Sequence, residues 1–147
     1  MAKFSLSASS EINCSPEELA QFVLDVPNIP QWSGAFVAIR DFSGAPVGLG
    51  TTWQAVSKFM GLEFVSDNKV IAFEEGRLCV CSVYSSAFTG INTWAFEATE
   101  AGRAKFTISV EGEIKSFLAS LAGPAIRSQA KSQMTSDMQN MKAILEA

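Results

Sequence analysis

Ile91-Asn92-Thr93-Trp94-Ala95-Phe96-Glu97-Ala98-Thr99-Glu100-Ala101-Gly102-Arg103-Ala104-Lys105-Phe106-Thr107-Ile108-Ser109-Val110-Glu111-Gly112-Glu113 is followed by a chain of different character. In the first part Trp94, Phe96 and Ala98 alternate on one face. Glu100-Ala101-Gly102 makes a tight turn, and Phe106, Ile108 and Val110 alternate again. A period of two broken by a short turn predicts two antiparallel strands. From residue 116 to 147 there is no β-rich run. Ile126, Ala130, Met134, Met138, Met141 and Leu145 recur at spacings of four or three, one apolar stripe of a long amphipathic helix. Gly123-Pro124 lies near its start. Proline in a helix interior costs about 3 kcal/mol, so the chain either breaks there or uses the proline as the first helical residue.

Upstream of this stretch the strand pattern continues. Phe36 to Phe42 is rich in β formers, and Gly44 to Gly50 turns the chain. Thr51 to Phe59 is the next strand, Met60-Gly61 turns it again, and Leu62 to Phe73 reads as a long strand with a bulge. Glu74-Glu75-Gly76 precedes a strand from Arg77 to Tyr84. Turn signals at short, regular intervals indicate an antiparallel meander. The chain opens on one more alternating run, Phe4, Leu6 and Ala8 against serines, ending near Ile12. Ser15-Pro16-Glu17-Glu18 then forms a capping box, with serine as N-cap, proline at N1 and glutamate at N3. Pro27 and Pro30 cut that helix short and leave room for a turn or second short helix before Trp32.

The order is strand, two short helices, six strands, one long helix. An antiparallel sheet must have one face covered, and these helices are the available cover. The expected fold is α+β: a helix-grip arrangement in which a seven-stranded curved antiparallel sheet carries two short helices and a long C-terminal helix over a cavity. No linker, repeat or low-complexity segment interrupts residues 1–147, so one domain is expected.

Several local patterns occur in a recognisable order: Ser9-x-Glu11-Ile12-Asn13-x-Ser15-Pro16-Glu17-Glu18-Leu19, then Asp25, Pro30 and Trp32. Val47-Gly48-Leu49-Gly50-Thr51, Phe73-Glu74-x-Gly76-Arg77 and Phe96-Glu97-Ala98-Thr99-x-x-Gly102 follow, and Glu111-Gly112-Glu113 and Leu145-Glu146 close the chain. Together they resemble the START-like superfamily called SRPBCC, near its polyketide cyclase/dehydrase-type bacterial members. The resemblance implies an internal pocket for a hydrophobic ligand. It implies no single activity, because such proteins include lipid carriers and cyclases.

Composition narrows the chemistry. The 147 residues contain no histidine, which removes Ser-His-Asp and Cys-His nucleophile systems, histidine metal sites and an imidazole proton shuttle. The net charge is -4 with no basic patch, which argues against nucleic acid. No apolar run is long enough for a transmembrane helix, and the N-terminus has no signal-peptide core. Cys14, Cys79 and Cys81 do not form a disulfide framework, so a reducing cytoplasm is the expected setting. Cys79-x-Cys81 alone does not supply the four ligands of a zinc site, and no metal or cofactor is expected. The Gly44–Gly50 loop leads into a strand rather than a helix, so it reads as a hairpin connection and not a phosphate cradle.

Candidate ligand-contacting residues fall into three groups. Trp53, Phe64, Trp94 and Phe96 are aromatic residues on strands, and each is either ordinary core or pocket wall. Ile126, Met134 and Met138 lie on the helix stripe, where methionine serves a core or a deformable pocket equally well. Asn92 shares a strand face with Trp94 and Phe96, while Ser82 and Tyr84 share one with Leu78 and Val80. If those faces are inward, these three orient a ligand carbonyl or hydroxyl; otherwise they meet solvent. Ser66 and Asn68 share a face with Phe64, and Glu63 and Asp67 fall on the opposite one. That favours exposure over a paired-carboxylate site, so no catalytic residue is assigned. The favoured function is binding or transfer of a hydrophobic small molecule, lipid or polyketide-like. The alternatives are a polyketide cyclase/dehydratase-like enzyme and a protein-interaction module.

Overall fold

The computed structural model describes residues 2–59, 61–114 and 123–147. Strand β1 (Ala2–Ile12) leads to α1 (Pro16–Val23), a single 3-10 turn (Val26–Asn28) and the short α2 (Ile29–Trp32). Six strands follow: β2 (Phe36–Arg40), β3 (Thr52–Phe59), β4 (Leu62–Glu74), β5 (Leu78–Tyr84), β6 (Phe88–Ala98) and β7 (Ala104–Ile114). The last element is α3 (Gly123–Leu145). The seven strands form one sheet in the order β1-β7-β6-β5-β4-β3-β2, antiparallel throughout. This is the helix-grip architecture expected from the order of elements. Met60 of the expected Met60-Gly61 turn and residues 115–122 before α3 lie outside the described residues.

Local chemistry accounts for the element ends. The Glu18 N–H donates to Ser15 Oγ at 3.1 Å, and the same hydroxyl donates to Glu18 Oε1 at 3.2 Å, so the capping box forms. Gly61, in the β3–β4 turn, has φ of 80°, a conformation that an L side chain resists. The described helix begins at Gly123, which puts Pro124 in its first turn, a position that tolerates proline. The expected break ahead of it falls on residues 115–122, outside the described residues.

Two features bend the sheet. Pairing slips between Phe36 and Ala38 in β2 and between Val70 and Ala72 in β4, leaving Val37 and Ile71 as exposed extra residues. Gly90 of β6 faces Gly112 of β7, and their backbones approach closely. A Cβ on Gly90 would sit 2.2 Å from the Glu111 carbonyl oxygen, and one on Gly112 2.1 Å from that of Thr89. Only glycine permits that approach.

The core lies on the concave face. Ile12, Trp53, Ala55, Val70, Cys79, Cys81, Trp94, Phe96, Ala104 and Phe106 of the sheet pack against Leu19, Val23 and Val26, with Ile29 and Trp32 of α2 and Met138 and Met141 of α3. Helix α3 also lies along the outer edge of β1. Arg127 Nη2 donates to the Ser5 carbonyl at 2.9 Å, Lys142 Nζ to that of Glu11 at 3.2 Å, and Lys131 Nζ to that of Ser7. The strand edge is thereby covered by cations instead of another strand.

Candidate functional site

Because successive side chains alternate, one inward residue per pair converges on the space under α3. Phe4 and Leu6 of β1 sit beside Gly112 and Val110 of β7, and Asn92 of β6 beside Val110 and Cys81. Here sheet and helix do not close on one another. Two adjoining recesses remain, and they share Phe4, Phe36, Asn92, Val110 and Ala130. The larger, of about 270 Å³, lies toward the β5–β6 hairpin and is lined by Phe64, Val83, Ala87, Phe88 and Ile114. Its polar lining is Ser57, Ser66, Asn68 and Ser85 in addition to Asn92. The smaller, of about 190 Å³, lies against α2 and is lined by Leu6, Ile29, Trp32, Trp94, Ile108 and Met134, with Gln133 and Asp137.

Most of these polar groups are engaged. Asn68 Nδ2 donates to Ser66 Oγ at 3.1 Å and to the Ser66 carbonyl at 3.2 Å. Ser85 Oγ accepts from the N–H groups of Ala87 and Phe88, so it serves the hairpin turn. Buried Asp137 accepts from Ser33 Oγ at 2.6 Å, the Gly34 N–H at 2.9 Å and Gln133 Nε2 at 2.8 Å. Three other side chains of the smaller recess differ. Trp32 Nε1, Asn92 Oδ1 and Trp94 Nε1 are buried and have no hydrogen-bond partner among the described residues.

Among the residues singled out in the sequence, Phe64 and Asn92 line the larger recess, and Asn92, Trp94 and Met134 the smaller. Trp53 is stacked on Trp94 with ring centroids 6.2 Å apart, and Phe96 on Phe106 at 5.7 Å. Trp53, Phe96 and Met138 belong to the packed core and line neither recess. Ser82 and Tyr84 point to the opposite, convex face. There they border a surface depression with Asp41, Gln54, Asp67 and Lys69, and Tyr84 is 62% exposed. The reason lies across the strand pair. Cys79 is paired with Trp94, and directly paired residues share one face of the sheet, so with Trp94 inward Cys79 and Cys81 take the concave side. The Ile126 side chain lies outside the described residues. Sequence reasoning did not single out Phe4, Phe36, Phe88, Ala130 or Trp32 as lining residues. Phe4 carried a usable signal, its place in an alternating run. Trp32 carried none, because the position of a one-turn helix is set by tertiary packing.

The thiols add no reactive centre to the recesses. Cys79 and Cys81 are fully buried with their sulfurs 3.9 Å apart. The hydrogen bond to Cys79, reinforced by burial, pushes the Cys81 thiol far up. Cys14, half-buried beside α1, is raised by burial and then by the Glu18 and Glu146 carboxylates. Among the described residues no group of three or more cysteine, aspartate or glutamate side chains is arranged to hold a metal ion. Likewise no helix among them is long and apolar enough to cross a membrane.

Comparison with known proteins places these features in a family. No curated protein matches the chain in sequence. In three dimensions it is similar to a START superfamily protein from Mycobacterium smegmatis, with a TM-score of 0.78, 16% identity and 97% of each chain covered. It is also similar to the Zhui aromatase/cyclase from Streptomyces sp. R1128, with a TM-score of 0.78, 9% identity and coverage of 99% and 94%. A third similar structure is the major latex-like protein 151 from Panax ginseng, with a TM-score of 0.75, 12% identity and 99% of each chain covered. At these identities the likeness shows the fold. Residues 3–146 match the profile of the family described as "Polyketide cyclase / dehydrase and lipid transport", so the chain belongs to that family, within the START-like SRPBCC superfamily.

Proposed function

We propose that the chain binds a hydrophobic small molecule, of lipid or polyketide-like character, between the concave sheet face and the first half of α3, and that it carries this molecule without transforming it. The observation that supports this reading is the unfilled space at that place, bordered by phenylalanines of four strands together with Val110, Ile114 and Met134. Ligand sites of this kind are concave and mostly apolar with few polar groups. The family description is compatible with carriage and with chemistry alike.

Carriage is favoured over catalysis by what borders the space. Among the described lining residues the sole ionisable side chain is Asp137, and its two oxygens already accept three hydrogen bonds. A general base needs a lone pair within reach of the substrate proton. A cyclisation driven by chain folding alone would need no such group, and turnover assays separate it from carriage. Residues 1–147 would act as one unit, and the free thiols suit a reducing compartment such as the cytoplasm.

Native mass spectrometry of the protein isolated from its own host tests the reading. The expected result is a mass above that of the chain, lost after organic extraction, whose extract contains the same compound unchanged after incubation with the protein. A bare chain mass, together with failure to bind the neutral probe N-phenyl-1-naphthylamine, would overturn it. A product formed from the extracted compound would show an enzyme instead.

A further inference from the structure

We infer that the two adjoining recesses take a compact, uncharged, ring-bearing molecule and not a diacyl lipid. This rests on the binding function proposed above and narrows its ligand to one class. Volume sets the size. An apolar cavity of about 150 Å³ holds one benzene, or about 25 Å³ for each non-hydrogen atom. On that scale the larger recess, of about 270 Å³, takes about eleven such atoms, the size of a fused pair of rings. The smaller, of about 190 Å³, takes about eight, a single ring with a short substituent. They share Phe4, Phe36, Asn92, Val110 and Ala130 as borders, so one molecule can extend through both. A ligand site buries most of its ligand's surface. A diacylglycerol with two long chains has more than twice the atoms that both recesses hold, so most of it would stay in water.

The walls favour rings. Phe4, Phe36, Phe64 and Phe88 come from four different strands and border the larger recess, and each is half-buried. Phe4 and Phe88 meet edge to face with centroids 5.8 Å apart. An aromatic ligand gains from such rings beyond the area it buries, and a rigid one loses fewer torsions on binding than an acyl chain. Charge sets the last limit. No lysine or arginine lines either recess among the described residues, whereas Asp137 lines the smaller one. A carboxylate or phosphate placed there would be buried without a cation and close to an aspartate, an unfavourable arrangement. Serine hydroxyls and the Asn68 amide accommodate a neutral oxygen but offer no counter-charge.

Displacement of N-phenyl-1-naphthylamine from the full chain at neutral pH tests ring, charge and reach. 2-Methylnaphthalene should bind tighter than 1-decanol, which has the same number of non-hydrogen atoms, by about threefold or more. It should bind tighter than 2-naphthoate by about tenfold or more. 2-Phenylnaphthalene, long enough to enter both recesses, should exceed 2-methylnaphthalene by about fivefold or more. Phe64→Leu and Phe88→Leu, which exchange a ring for an acyclic side chain, should each narrow the ratio of 2-methylnaphthalene to 1-decanol. Size is tested with phosphatidylcholine vesicles that contain dioleoylglycerol: after incubation and removal of the vesicles, native mass spectrometry should show no chain carrying either lipid. A chain that carries one diacyl lipid overturns the inference while the binding function stands. The same holds if 1-decanol or 2-naphthoate binds as tightly as 2-methylnaphthalene, if 2-phenylnaphthalene gains nothing, or if both folded variants keep the wild-type ratio. Failure of every compound to bind, the reporter included, would remove the binding function itself.

Discussion

Asn92 and Asp137 border the same recess and behave oppositely in it. Asp137 is the acceptor for Ser33, Gly34 and Gln133, so it ties α3 to the junction of α2 and β2. Asp137→Ala would strip three donors of their acceptor, one of them the Ser33 hydroxyl buried in the core, and should cost about 2–4 kcal/mol in urea denaturation. Asn92→Leu should leave stability unchanged or raise it by up to about 1 kcal/mol, because the amide oxygen it removes is buried without a partner. A loss above about 1 kcal/mol would mean that the amide is satisfied in the folded protein. The thiols give a third test. Native alkylation with iodoacetamide should modify Cys14 and spare Cys79 and Cys81, which are buried. Since its pKa is raised, the Cys14 thiolate fraction at a given pH lies below that of a free cysteine. Its rate should therefore be slower than free cysteine near pH 8 and keep climbing at pH values where free cysteine has levelled off. Of these residues, Asn92 was legible from strand alternation alone. Asp137 was not, because a charge beside Met134 and Met138 reads as the solvated flank of the stripe. Its burial depends on where α2 is docked.

Helix α3 and strand β1 depend on one another in a way that outlasts any single contact. The free carbonyls of an edge strand invite pairing with another chain, and Arg127, Lys131 and Lys142 occupy those of Ser5, Ser7 and Glu11. These cations are partly or fully solvated, so each bond is modest. The double variant Arg127→Met, Lys131→Met should lose about 1 kcal/mol in stability. Its more telling phenotype is self-association through the uncovered edge, seen as concentration-dependent dimers by light scattering. A strictly monomeric variant would show that the helix backbone alone protects the edge. Most element positions were legible because local chemistry sets them: the Ser15 cap, the Gly61 turn, the alternation of β1, β6 and β7, the methionine stripe of α3. Pairing irregularities were less so. The β4 bulge was anticipated in the long run from Leu62, but the one at Val37 was hidden in a short run of β formers. The face of β5 was open too. Leu78 and Val80 against Cys79, Cys81 and Val83 puts apolar residues on both sides, and the partner strand, with inward Trp94 opposite Cys79, decides between them.

Between a bent sheet and a straight helix some space must stay open unless side chains are large enough to fill it. At Gly90 and Gly112 the backbones of β6 and β7 approach closely, and Phe88, Asn92, Val110 and Ile114, two residues to either side, line the larger recess. Two walls of the site were therefore readable in advance, since strand and helix periodicities each show an apolar face. The third wall, α2 with Trp32, and the narrowness of the gap were not, because they are properties of the packed whole. Ala130 tests whether the gap is maintained for a ligand. It lies on the helix stripe and borders both recesses, so a larger side chain there enters the space that a ligand would use. Leucine is close to alanine in helix propensity, so Ala130→Leu isolates the effect of filling. If the space is empty in the free protein, the added carbons gain apolar burial of about 1–2 kcal/mol, and the melting temperature should rise by a few degrees. If instead the core is closed there, the same substitution overpacks it and costs about 1–3 kcal/mol. The two cases differ in sign. A ligand-carrying protein should show the rise together with a loss of about tenfold in affinity for N-phenyl-1-naphthylamine, because stabilisation and binding compete for the same volume. A variant that is more stable yet binds the probe as well as the wild type would place the ligand elsewhere.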